Sequence, residues 1–122
     1  MKPAKEICPT TTKGKVKAGA LIVDVRNKKD VEIVSFDVPN YLNIPLLELE
    51  DRINEIPKDR EVVFVSRKGE KSLKATYYAM NAGYEQVFNM RDGLVKWVAK
   101  GFPTKGDTTS LFIIGNFNSD CC

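Results

Sequence analysis

The residues best suited to chemistry in this chain are Ser66, Arg67, Lys68, Gly69, Glu70, Lys71 and Ser72, a cationic loop directly behind the apolar run Glu61-Val62-Val63-Phe64-Val65. Gly69 can adopt backbone angles closed to other residues, and Ser72 can cap a helix that starts there. A loop of this length between strand and helix turns its N–H groups inward. The helix N-terminus adds partial positive charge, and Arg67, Lys68 and Lys71 add formal charge. Such a cradle suits a small anion, or a thiol whose pKa is to be lowered. The residue at its entrance is a serine, whose hydroxyl stays protonated near neutral pH.

Other chemistry is restricted by what the chain lacks. It contains no histidine, which removes Ser-His and Cys-His mechanisms and imidazole metal sites. Lys71, exposed beside Arg67 and Lys68, lacks the desolvated surroundings of a Ser-Lys base. The three cysteines, Cys8, Cys121 and Cys122, sit at the chain ends and form neither a disulfide framework nor a complete zinc ligand set. No metal and no cofactor is expected.

The elements that must position the loop follow from hydropathy and punctuation. Ala20–Val25 reads as a continuous apolar strand leading into Asp24-Val25-Arg26, where Asp24 is expected to accept local donors and Arg26 to pair with Asp24 or Glu32. Lys28–Phe36 suggests a short helix or irregular arm. Tyr41–Ile44 is a short strand ended by Pro45. Leu46, Leu49, Ile53 and Ile56 mark an amphipathic helix over Leu46–Ile56. After the strand Glu61–Val65 and the loop, a helix is expected over Ser72–Ala82 with Leu73, Thr76, Tyr77 and Met80 on one face, stopped by Gly83. A strand over Val87–Met90 and a helix over Leu94–Lys100 follow, with Trp97 and Tyr84 in the core.

Strands alternating with helices predict an α/β domain whose parallel sheet is covered on both faces, with ligands at the carboxyl ends of the strands. The pattern divides the chain into an N-terminal segment 1–19, a domain 20–106 and a C-terminal apolar tail 107–122. That tail, through Leu111–Phe117, is expected to dock rather than hang free. At 122 residues with 43% apolar and 29% charged side chains, the chain is sized for one soluble domain. No apolar run reaches the roughly 20 residues of a bilayer span, and no apolar stretch follows the N-terminal lysines to make a signal peptide. A cytoplasmic protein without membrane association is expected. The net charge of +3 is mild and unstriped, which argues against nucleic acid as a partner.

These segments, in this order, resemble the rhodanese-like domain. The marks are Asp24-Val25-Arg26, Asn43-Ile44-Pro45-Leu46, the loop after Val65, Ala82-Gly83-Tyr84, Val87-Phe88-Asn89-Met90, Gly93-Leu94-Val95-Lys96-Trp97 and Gly101-Phe102-Pro103. The resemblance implies a three-layer α/β fold with a five-stranded, mostly parallel sheet. It also implies a loop that begins with cysteine, reads Cys-Arg-x-Gly-x-Arg before Ser or Thr, and carries sulfane sulfur as a persulfide. This chain has Ser66 at the cysteine position and Lys71 at the second arginine position. It has Asp37-Val38-Pro39 where Gly-His-Ile is frequent, and Asp92 where a glycine often precedes Gly93.

Three functions are open on these residues. The first is a rhodanese-like protein without sulfurtransferase activity, whose loop binds a small sulfur-containing anion, an oxyanion or a partner's group. The second is a thiosulfate-type sulfurtransferase, able to meet a protein thiol partner, in which position 66 is naturally cysteine and Ser66 is engineered or recently lost. The third is a protein-interaction module that uses the C-terminal tail.

Overall fold

A computed structural model describes residues 2–111. The elements run β1 (Glu6–Ile7), α1 (Pro9–Lys17), β2 (Leu21–Asp24), α2 (Lys28–Ile33), β3 (Val34–Phe36), β4 (Tyr41–Asn43), α3 (Leu49–Arg52), β5 (Val62–Val65), α4 (Glu70–Asn81), β6 (Val87–Met90), α5 (Gly93–Ala99) and β7 (Thr104–Gly106). Five strands form one sheet in the order β1-β6-β5-β2-β4, and every pairing in it is parallel. β3 and β7 form a separate antiparallel pair.

Every residue of β2 and β5 is buried, as the continuous apolar runs require for strands covered on both faces. Side-chain alternation divides them between two cores. Leu21, Val23, Val62 and Phe64 pack with Leu49, Ile56, Ala75, Ala79 and Tyr84 on the side of α3 and α4. Ile22, Val63 and Val65 pack with Val16, Met90, Leu94, Val95 and Trp97 on the side of α1 and α5. The register pairs Asp24 with Val65, so Asp24-Val25-Arg26 and Ser66 leave the sheet side by side at its carboxyl edge.

Several elements differ from the sequence expectation. Leu46–Ile56 is not one helix but a 3-10 turn Leu46–Glu48, the single α-turn α3, and a second 3-10 turn Ile53–Glu55. Spacings of three, four and three can be met by tight turns as well as by a regular helix, and only Leu49 and Ile56 are fully buried anchors. Arg52 ties the turns together through Glu48 at 3.0 Å and Glu55 at 2.7 Å. α4 starts two residues early, because Gly69 at φ 98° caps it, so Ser72 lies inside the first turn rather than at the cap. The sheet-facing side of α4 is Ser72, Ala75, Thr76 and Ala79. These small residues let the helix approach closely, while Leu73, Tyr77 and Met80 are half-buried beside them.

No element before Ala20 follows from the hydropathy pattern, yet β1 pairs with β6 and Val16 of α1 enters the second core. Trp97 is fully buried and donates Nε1–H to Pro103 O at 2.9 Å; Tyr84 is buried with its hydroxyl on Ile56 O at 2.6 Å. Of the tail, the turn Thr109–Leu111 is described, and Leu111 is buried in the second core. Phe112–Phe117, Cys121 and Cys122 lie outside the described residues. Among the described residues no helix is long and apolar enough to cross a membrane.

Candidate functional site

β5 ends at Val65 and delivers Ser66, 2% exposed, to the loop. Three features hold the loop. Gly69 turns the chain at positive φ, and a Cβ there would stand 3.1 Å from Asp92 N. The first turn of α5 then grips the loop carbonyls, Leu94 N–H to Ser66 O at 2.9 Å and Val95 N–H to Arg67 O at 3.1 Å. Gly93 makes this approach possible, since a Cβ on it would lie 2.3 Å from Arg67 O at a φ of +63°. Gly93→Ala is therefore expected to cost about 2–5 kcal/mol through left-handed strain and overpacking. A urea midpoint lowered accordingly checks this, and an unchanged midpoint would contradict it.

The Ser66 hydroxyl is closed off by its partners. Its oxygen accepts from Gly69 N–H at 3.1 Å and Ser72 N–H at 3.2 Å, and lies 2.9 Å from Ser72 Oγ. Ser72 Oγ donates in turn to Asn89 Oδ1 at 2.5 Å. Ser72 has one hydroxyl proton, so the contact between the two serines is a donation from Ser66. Both lone pairs and the proton of Ser66 are thus engaged inside the protein. Among the described residues no buried side-chain nitrogen or oxygen is left without a partner.

In front of Ser66 lies a cavity of about 300 Å³ lined by Arg26, Asp30, Ser66, Arg67, Lys68, Glu70 and Lys71. Arg67, Lys68, Glu70 and Lys71 are exposed, whereas Gly69 and Ser72 are buried. Arg26 is neutralised by Asp24, which leaves three cations facing two carboxylates. The first intrahelical bond of α4 is Leu73 N–H to Gly69 O at 3.1 Å, so the N–H groups of Glu70 and Lys71 lie outside the ladder and add to the positive end. Arg67 also donates Nη2–H to Ser110 O at 3.0 Å, tying the C-terminal turn to the rim of the cavity.

Asp24 and Arg26 form a buried frame beside the loop. Arg26 donates its backbone N–H to Asp24 Oδ1 at 3.0 Å, its Nε–H to both carboxylate oxygens, and Nη2–H to Oδ2 at 2.7 Å. Nη2 also reaches Val34 O at 2.8 Å, which fastens β3. The partner of Arg26 is Asp24, not Glu32. Burial pulls the Arg26 pKa down, but the carboxylate of Asp24 outweighs it and the net direction is up. Tyr41 donates to Asp24 Oδ2 at 2.7 Å; burial first, then the Asp24 charge, pushes its pKa well above the usual phenol range. Asn43 closes the frame by donating to Asp24 O and Arg26 O.

Sequence reasoning did not find Asn89, Glu6 or the grip of α5 on the loop. Asn89 is 1% exposed and stands in β6, the strand next to β5. A buried amide in a strand beside a polar loop was the available signal. Among the described residues no cluster of His, Cys, Asp and Glu could hold a metal ion.

The family model described as Rhodanese-like domain matches residues 9–100. A sulfurtransferase of Allochromatium vinosum is 40% identical over 83 residues, which are 68% of this chain and 76% of that protein. A solved rhodanese-related protein from Thermoplasma volcanium superposes with a TM-score of 0.76 at 21% identity, covering 84% of this chain and 99% of that one. The rhodanese-like domain of an Anabaena protein gives 0.72 at 23% identity over 97% of this chain and 89% of that one. At these identities the two structures show a shared fold.

Proposed function

The chain belongs to the rhodanese-like domain family, and on that premise we propose that it is a sulfurtransferase-derived module that binds a small sulfur oxyanion but does not itself transfer sulfur. Sulfur transfer needs a thiolate that attacks the sulfane sulfur of a donor such as thiosulfate. The sulfur–sulfur bond breaks, sulfite leaves, and a persulfide remains on the protein. Ser66 has no sulfur to carry and no base to ionise it.

The observation that carries this reading is the division of labour in the loop. The Ser66 hydroxyl has spent its proton and both lone pairs on the protein, while Arg67, Lys68 and Lys71 line the cavity in front of it. The loop is thus closed to covalent chemistry and open to an anion. The same cations suit an acidic group on a protein partner. Lys71 keeps the charge of the family's second arginine without its bidentate fork, so binding is expected to be weak and dependent on salt.

Thiosulfate titrated into the unchanged protein, followed by the backbone amide signals of Glu70 and Lys71, tests the proposal. Saturable shifts are expected, and Lys68→Gln with Lys71→Gln should weaken binding about 5- to 30-fold, the loss of two charge-assisted contacts at a wet site. Absence of saturable shifts, or binding indifferent to both replacements, would overturn it.

A further inference from the structure

The hydrogen bonds behind Ser66 have a direction, and that direction is set from the neighbouring edge strand β1, where Glu6 is the register partner of Asn89. Asn89 Nδ2 lies 3.0 Å from Glu6 Oε1 and 3.2 Å from Gly69 O. A carboxylate and a carbonyl only accept, so the amide must present its NH₂ to them and its oxygen to Ser72. The Ser72 hydroxyl is thereby obliged to donate to Asn89, and it meets residue 66 with a lone pair. The chain then reads Ser66 O–H to Ser72 Oγ, Ser72 O–H to Asn89 Oδ1, and Asn89 N–H to Glu6.

We propose that Asn89, oriented by Glu6 and Gly69 O, is a positioning residue that fixes position 66 as a proton donor and withholds the Ser72 hydroxyl from any anion formed there. A hydroxyl at residue 66 fits this polarity. A thiolate does not: it would keep the two N–H donors of Gly69 and Ser72 but face the oxygen lone pairs of Ser72. For the Ser72 proton to turn toward sulfur, Asn89 Oδ1, buried with its residue at 1% exposure, would have to give up its donor. The wall of the site behind residue 66 is therefore matched to serine.

This inference rests on the reading of Ser66 as the position of a missing thiolate, and it is tested on a different protein series. The thiol pKa of Ser66→Cys is measured from the pH dependence of alkylation, with residue 66 separated from Cys8, Cys121 and Cys122 by peptide mapping. The charges facing this position are Arg26, Arg67, Lys68 and Lys71, with Asp30 and Glu70 across the cavity and Glu6 behind Asn89. They are common to every variant and cancel in a double-mutant cycle.

With Asn89 in place, adding Ser72→Ala is expected to leave the thiol pKa unchanged or lower it. In the Asn89→Ala background the freed Ser72 hydroxyl can donate to sulfur. The pKa should then start about 1 lower, and Ser72→Ala should raise it by about 1, a tenfold change in thiolate near neutral pH. A rise of similar size on Ser72→Ala in both backgrounds would show that the hydroxyl serves the sulfur regardless of Asn89, and would overturn the proposal. If Asn89→Ala fails to fold, a clear rise on Ser72→Ala in Ser66→Cys alone overturns it equally. Failure to bind thiosulfate, read on the unchanged chain, would instead count against the anion-binding reading and leave this cycle standing.

Discussion

Ser66→Cys is expected to raise sulfur transfer from thiosulfate to cyanide by at least about 100-fold over the unchanged chain, a difference of about 2.7 kcal/mol in the barrier. Apart from the Ser72 lone pair behind residue 66, the surroundings needed for the step are already in place. Two backbone N–H groups converge on the side-chain atom of residue 66, the loop carbonyls are pinned by α5, and the cations stand at the mouth of the cavity. Sulfur is larger than oxygen, but the cavity lies directly in front of it. The rate should climb with pH through neutrality, because the Ser72 lone pair favours the protonated thiol. Steady-state assays at several pH values check this. Activity of the variant no higher than that of the unchanged chain would show that the loop is not competent for sulfur transfer.

Asp24→Ala is expected to destabilise the fold by about 3–5 kcal/mol, since it strips a buried guanidinium of its counter-charge. Arg26 is 5% exposed and Asp24 wholly buried, and the pair is joined by several short bonds. Removing the carboxylate leaves Arg26 charged and buried without its counter-charge, takes the acceptor from Tyr41, and loosens the hold on Val34 O that anchors β3. Lys15 and Glu61, by contrast, are joined at 3.0 Å but are partly exposed, so their pair is worth at most about 1 kcal/mol. Urea unfolding of Asp24→Ala and of Lys15→Ala distinguishes the sites, and a loss below about 1 kcal/mol at Asp24 would contradict the structural role given to the pair.

How far these features could be read in the sequence depended on how locally they are encoded. β2 and β5 announce themselves because strands buried on both faces are near-continuous apolar runs, interrupted in β2 by its last residue, Asp24, and β6 (Val87–Met90) coincides with the expected strand. The cationic loop was legible because Gly69 and its neighbours are contiguous. The start of α4 was misplaced because the cap is a backbone conformation of Gly69, not the side chain of Ser72. β1 and α1 were not found: a two-residue strand has no alternation to detect, and Pro9–Lys17 buries only Pro9, Thr12 and Val16. The polarity of the site was beyond sequence reading altogether, because Asn89 and Glu6 are 83 positions apart and meet only when β1 pairs with β6. Ser66 was legible as a departure from the family pattern, but not as a hydroxyl with its proton and lone pairs all engaged.

The most direct measurement is to locate sulfur after incubation with thiosulfate, by peptide mass mapping of the unchanged chain and of Ser66→Cys. One additional sulfur atom is expected on the residue-66 peptide of the variant, released again by cyanide, and none on the corresponding peptide of the unchanged chain, which should also fail to turn over. Sulfur transfer by the unchanged chain at a rate comparable with the variant would contradict the account, because the step would then not depend on the atom at position 66.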